Sequence, residues 1–242
     1  MRARLTPARR RGVEILDDPA TPSDVRARSM ADIARSNVLF GGTRSAMQAL
    51  RPLLSQLPRR ATLLDVGTGL ADIPIHARDE ARRAGVSLTV IGIDFTESVA
   101  RSARVRLEAA AVGDALRLPI ADGSVDVAMC SQLLHHFVES DATRLIAELH
   151  RVSRGWVVVS DLRRSWIAAS GFWLASVALR FQAVTRHDGV TSVLRGFTAR
   201  ELGALVHEAT GESPMVRRGA FWRLNATWPA THAGPRFSRA PQ

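Results

Sequence analysis

Asp65-Val66-Gly67-Thr68-Gly69 and, 25 residues beyond the second glycine, Asp94 form the first chemical constellation in this chain. Glycines at a strand end let the backbone approach a ligand closely, and an acid at the end of the next strand accepts hydrogen bonds from ribose hydroxyls. A second group is imidazole: His135 and His136, adjacent in sequence, and His187 with Asp188 beside it. Imidazole titrates near neutral pH, so one of the three could act as general base toward a phenolic or enolic hydroxyl. Neighbouring residues rarely project the same way, so His135 and His136 are not both expected to face a ligand, and either could simply shape the loop. Asp188 could orient His187 or open a turn at Gly189. Arg186 and Arg195 could bind an acidic or enolate oxygen, or lie solvated. The seven histidines and the single cysteine, Cys130, show no metal-ligand spacing, so no metal is expected.

The elements that must position these groups can be read from apolar runs. Residues 61–66, 88–93, about 110–113, 125–130 and 155–160 have strand length, and helical segments at 71–84, at 97–110 behind Thr96, and from Ser140 or Asp141 to 152 separate them. Strands alternating with helices at this spacing argue for a parallel sheet. Thr198-Ala199-Arg200-Glu201 is a capping-box pattern opening a helix to 210, and 215–219 with 221–228 read as two last strands. Two stretches fall outside this rhythm. Residues 24–56 are helical with a break at Gly41-Gly42, and Val25, Met30, Ile33, Asn37, Val38 and Leu39 recur on one face. Residues 165–184 are apolar and helical, but Ser165, Ser170, Gly171, Ser176 and Arg180 interrupt them too often for a membrane span.

The net charge is +10, every basic residue is Arg, and neither Lys nor Tyr occurs. That bias points to a GC-rich bacterial genome, with Arg spread along the chain on solvated faces. One cysteine cannot make an internal disulfide, which suits a reducing cytoplasm, and Cys130 reads as a small buried hydrophobe. The first residues carry charge without an apolar run behind them, so a signal peptide is not expected.

Taken in order, Leu64–Gly69, Gly92-Ile93-Asp94, Gly113-Asp114-Ala115 with Leu118-Pro119, and Asp126–Phe137 resemble the class I S-adenosylmethionine-dependent methyltransferases. The chain is most similar to the small bacterial type that includes quinone-biosynthesis and polyketide-modifying enzymes. The resemblance covers about residues 60–228. It departs from the strictest glycine motif at Ala71. It implies that Gly67 and Gly69 form the turn under the methionine moiety of S-adenosylmethionine and that Asp65 orients its amino group. It further implies that Asp94 holds the ribose, that Phe95 packs near the adenine, that Asp114 and Ala115 contact the adenine, and that Ser131 faces the reaction centre. NAD as the nucleotide fits less well, because Gly113-Asp114 and Leu133–Phe137 have no counterpart there.

The expected fold is α/β: a Rossmann-like, mostly parallel seven-stranded sheet with an N-terminal helical lid and a helical insertion after strand five. One domain is expected, with a helical region at 1–58 (loosely ordered before 24), a cofactor-binding core at 59–162, an acceptor-side insertion at 163–196, the end of the core at 197–228, and a frayed tail at 229–242. The insertion brings Trp166, Phe172 and Trp173 to an apolar acceptor pocket, with Trp166, Trp173, Arg186 and Arg195 as substrate contacts. The expected enzyme methylates a hydrophobic small molecule (aromatic, polyketide or quinone-like) in secondary metabolism, at oxygen in the first instance and alternatively at carbon. The competing functions are an RNA methyltransferase using the basic surface and a non-catalytic S-adenosylmethionine-binding protein. The apolar insertion speaks against nucleic acid, and contact with a membrane would be peripheral at most.

Overall fold

The computed structural model describes residues 6–10, 12–18 and 20–230. Seven strands form one sheet: β1 (Arg60–Val66), β2 (Ser87–Asp94), β3 (Ala109–Val112), β4 (Val125–Ser131), β5 (Ser153–Leu162), β6 (Met215–Gly219) and β7 (Arg223–Pro229). Their order is β3-β2-β1-β4-β5-β7-β6. The first five are parallel, and β7 runs antiparallel to both β5 and β6. The expected α/β class and seven-stranded sheet are therefore present. The chain reverses direction across the sheet between β1 and β4, which opens a crevice beyond their carboxyl ends.

β4 and the centre of β5 are buried on both faces, which explains their largely apolar sequence; Asp126, the buried acid of β4, is paired with Arg154 at 2.8 Å. On one face α2 (Gly42–Leu54) and α3 (Asp72–Arg83) pack through Leu50, Leu53, Ile73 and Ala77. On the other, α5 (Glu139–Val152) and α8 (Ala199–Thr210) pack through Leu145, Leu149, Leu202 and Val206 against Trp228 and Leu224. Thr198 and Glu201 make the reciprocal bonds of the capping box that opens α8. α4 spans only Glu97–Arg104, shorter than expected, and Thr96 precedes it without a side-chain cap.

Two helices fill the insertion, α6 (Trp166–Ala178) and α7 (Ala183–Arg195). α1 (Ser23–Leu39) lies beside them, and its buried residues are polar: Ser29, Asp32, Ser36 and Asn37. Asp32 accepts hydrogen bonds from Gln182 N (2.8 Å) and the Thr185 hydroxyl, holding the start of α7. Val38 and Leu39, expected on the inner face, are exposed.

The segment before α1 is not loose within its described residues. Asp188 accepts from Ile15 N at 2.8 Å and Leu16 N at 2.9 Å. Arg9 donates to the carbonyls of Arg195 and Phe137 and lies over the Phe197 ring. Buried Arg164 donates to the Pro7 carbonyl and pairs with Glu201. Residues 6–10 and 12–18 thus form a strap across α7 and the loop after β4. Asp188 sits inside α7, not in a turn, because its carboxylate serves two amides of the strap. Of the expected tail, 231–242 lie outside the described residues.

Candidate active site

One cavity of about 510 Å³ runs from the glycine turn after β1 to the start of β7. Its floor is the strand ends, and its walls are α1, the strap, α6 and α7.

At the glycine end, Gly67 and Thr68 donate to the Ile93 carbonyl at 2.8 and 3.0 Å, which ties the turn to β2. Gly67 has φ +73°, and an added Cβ would strike Leu133 at 2.9 Å, so this position requires glycine twice over. Ala71 also has positive φ (61°) and is fully buried. Glycine is the default there for its left-handed backbone as well as its size, and alanine costs about 1 kcal/mol. Asp94 accepts from Gly69 N at 3.1 Å and Thr96 N at 3.0 Å. Its burial raises its pKa against the pull of those amides.

Asp65 is buried, and its Oδ1 has no hydrogen-bond partner. The Thr68 hydroxyl approaches it without completing a bond, and the Ser131 hydroxyl is likewise buried without a partner. All three residues border the cavity. Burial, reinforced by the Asp72 and Asp94 carboxylates, lifts the Asp65 pKa to about 7. The cluster lacks a cationic donor, which the amino group of a bound S-adenosylmethionine would supply. On that ground the residues fit the cofactor.

A stability prediction follows from Asp65. A carboxyl that binds its proton more tightly folded than unfolded makes the native state less stable as pH rises between the two pKa values. Here the window runs from the ordinary value of 3.8 to about 7. The ligand-free protein is expected to melt several degrees lower at pH 8 than at pH 6. Asp65→Asn should remove most of that difference and raise the melting temperature at pH 8. An unchanged pH slope in Asp65→Asn would locate its origin elsewhere.

Sequence reasoning missed a polar relay at the cavity wall. Gln132, directly after β4, has φ +54° and donates through its side chain to Asn37 of α1, which donates to Asp72 at 3.0 Å. A left-handed glutamine is strained, and such strain persists where surrounding bonds hold it. The relay joins the lid helix to the first turn of α3.

The loop after β4 makes one 3-10 turn at Leu134–His136. It sets the two imidazoles side by side, with centroids 4.4 Å apart, and both border the cavity, contrary to expectation. Their surroundings differ. His135 is buried; its Nδ1 lies 2.6 Å from Asp161 Oδ1, and its backbone N–H donates to Asp161 Oδ2. Burial opposes the charge on Asp161, but His135 and the amides of Leu162 and His135 outweigh it and lower its pKa. An ionised Asp161 fixes the Nδ1–H tautomer and leaves Nε2 as the basic nitrogen. His136 Nδ1 instead faces Asp17 at 3.1 Å and Glu14 at 3.7 Å. Burial works against its charge, yet these carboxylates raise its pKa. Asp17 and Glu14 thus favour the protonated form of His136.

Glu14, His135 and His136 each bring a potential ligand atom within 4.8 Å of the others. Sequence spacing did not reveal this cluster. Arg195 already bonds Glu14 at 2.9 Å and Asp17 at 3.2 Å, so a cation occupies its edge.

Several expected contacts sit elsewhere. His187 bonds Asp188, its neighbour in sequence, and lines a second pocket with Trp173 and Arg186. Trp166 lies under Arg10 and is exposed. The aromatic that reaches the cavity from α6 is Phe172, edge-on to Phe40 at 5.4 Å and pressed onto Gly189. Arg195 is spent on Glu14 and Asp17. Phe95 is 78% exposed and does not line the cavity. Thr96 and Val99 border the cavity in its place. Asp114 and Ala115 lie just past β3, where Gly113 N donates to the Asp94 carbonyl, and Asp114 Oδ1 accepts from Leu116 N. They stand outside the cavity lining, beside its Asp94 edge.

Residues 64–159 match the family described as "Methyltransferase domain". The demethylmenaquinone methyltransferase of Deinococcus radiodurans is 34% identical over 144 residues, which cover 56% of this chain and 55% of that protein. A ubiquinone/menaquinone biosynthesis C-methyltransferase of Geobacter sp. (strain M21) is 31% identical over 101 residues, covering 38% of this chain and 41% of that one. The chain spans about half the length, or less, of these curated relatives. The crystal structure of magnesium protoporphyrin IX methyltransferase from Synechocystis with bound S-adenosylhomocysteine aligns with TM-score 0.53 at 12% identity, over 88% of this chain and 90% of that one. The ordered motifs, the sheet order and the segment matched at residues 64–159 agree in what this chain is similar to, the class I S-adenosylmethionine-dependent methyltransferases.

Proposed function

We propose that the protein methylates a hydrophobic small molecule with an ionisable hydroxyl, of aromatic, polyketide or quinone-like type. The observation that carries this reading is the continuity of one cavity from the Asp65–Gly69 turn to the Asp161–His135 pair. Asp65, the Gly67–Gly69 backbone, Asp94 and Ser131 would hold the cofactor, with Asp114 and Ala115 at its adenine end. When bound, S-adenosylmethionine supplies an electrophilic methyl group on a sulfonium. Met30, Ile33, Phe40, Phe172 and Val193 line the remaining space and suit an apolar acceptor. His135 Nε2 removes the hydroxyl proton, and Asp161 stabilises the imidazolium that forms. Losing that proton activates both the oxygen and the carbon conjugated to it, so one base serves O- or C-methylation. The two relatives named for quinone methylation support a ring acceptor. Much of the rate then comes from holding the nucleophile at attack distance.

The test is methyl-tritiated S-adenosylmethionine incubated with the protein and a bacterial lysate. Label is expected in the organic extract. Label in RNA instead would overturn the small-molecule reading and assign the +10 charge to nucleic acid. Cofactor binding with no label in any fraction would favour a non-catalytic role. No helix among the described residues is long and apolar enough to cross a membrane.

A further inference from the structure

Arg223 opens β7, paired in register with Leu162 of β5, and borders the cavity at the end away from the glycine turn. Two strands, β4 and β5, separate β7 from β1 in the sheet order. The side chain is buried, only 5% exposed. Its Nε has no hydrogen-bond partner, and among the described residues no carboxylate lies within ion-pair distance of its guanidinium. Asp161 attracts it only through space, because both Asp161 oxygens are taken by His135 and Leu162 N. Burial lowers the Arg223 pKa to about 10, which still leaves a full charge at neutral pH. The other buried arginines differ. Arg164 holds Glu201 and Arg195 holds Glu14. A buried guanidinium is stable only when anionic or carbonyl oxygens satisfy its donors.

On the methyl-transfer reading given above, we propose that Arg223 is the binding site for an anionic oxygen of the acceptor, a carboxylate or an ionised hydroxyl on an apolar body. The cofactor end of the cavity has its own acids and amides, while Arg223 and His135 both border the cavity and both interact with Asp161. The two divide the work. His135 takes the proton, and the negative charge left on oxygen falls against a cation already fixed in place, so no reorganisation is needed. An acceptor bearing a cationic group there would meet like charge, and an uncharged one would leave the guanidinium unsatisfied. Arg223 thereby sets the charge class of acceptor that the chamber admits.

The experiment titrates the purified full chain with 2-naphthoate, with 2-naphthamide, which has the same shape without charge, and with S-adenosylhomocysteine. Wild-type protein is expected to bind naphthoate at least tenfold more tightly than naphthamide. Arg223→Met should bring the two ligands to equal affinity, leave S-adenosylhomocysteine binding within about twofold, and melt no lower than wild type, since it removes a buried charge without a carboxylate partner. Arg223→Lys should keep part of the preference. Equal binding of naphthoate and naphthamide by wild type, or a preference that survives Arg223→Met, would overturn the proposal. Loss of S-adenosylhomocysteine binding in Arg223→Met alone would reassign the guanidinium to the cofactor's carboxylate. Failure of wild type to bind S-adenosylhomocysteine would fell the methyl-transfer reading, and the naphthoate contrast would still decide whether the anion site exists.

Discussion

Replacing Asp94 by alanine is expected to weaken S-adenosylhomocysteine binding by at least a hundredfold while the protein stays folded. The carboxylate ends β2 and braces two amides, Gly69 N in the glycine turn and Thr96 N before α4. It is also the group proposed to accept from the ribose hydroxyls. A hydrogen bond to a charged group contributes about 1.5–3 kcal/mol, so losing two costs at least a hundredfold in affinity. Asp94→Asn keeps one carbonyl oxygen and should fall between alanine and wild type. Calorimetric titration reads the effect, and circular dichroism checks the fold. Wild-type affinity in Asp94→Ala would remove Asp94 from the cofactor site and detach the glycine turn from its proposed role.

The second large effect separates binding from chemistry. His135→Gln is expected to lower turnover about a thousandfold, within the range for loss of a general base, with S-adenosylhomocysteine affinity changed less than twofold. Asp161→Asn should do nearly the same by a different route. An amide at the Asp161 position can present its N–H₂ to His135 Nδ1, which moves the imidazole proton to Nε2 and blocks that nitrogen as a base. Because the two residues act as one unit, the double variant should be no slower than the worse single. His136→Gln should act on stability instead, since His136 answers Glu14 and Asp17. Additive losses in the double variant, or full turnover in His135→Gln, would move the base elsewhere.

The part of the site built from consecutive residues was legible in the sequence. Gly67, Gly69 and Asp94 lie at strand ends whose apolar runs announce them, and the Thr198–Glu201 cap is a four-residue signal complete in itself. The acceptor side was not legible, because long-range contacts assemble it. α6 is apolar on all faces, so periodicity could not tell Phe172, which points inward, from Trp166 and Trp173, which do not. Asp188-Gly189 carries the composition of a turn, but the partners that keep it helical are Ile15 and Leu16, more than 170 residues away. Asp161 and Arg223 look ordinary until β5 and β7 stand side by side. The N-terminal segment looked loose because its anchors, Arg164, Asp188 and Phe197, lie at the far end of the chain.

The strap of residues 6–10 and 12–18 gives the acceptor wall an independence that the cofactor floor lacks. Asp188 and Arg164 anchor it through its own backbone, and of its side chains Arg9, Glu14 and Asp17 are tied to the body, so the identity of most other strap residues is free to vary. A change in the floor reaches β1, β2 and β4 and is felt by the whole sheet. A change at those free strap positions or on the inner side of α6 alters which molecules fit and little else. Selection can therefore move this chain between acceptors through two surface segments while the machinery below drifts slowly. Close relatives in sequence at 60–162 should then divide into specificity groups by residues that those core comparisons never touch.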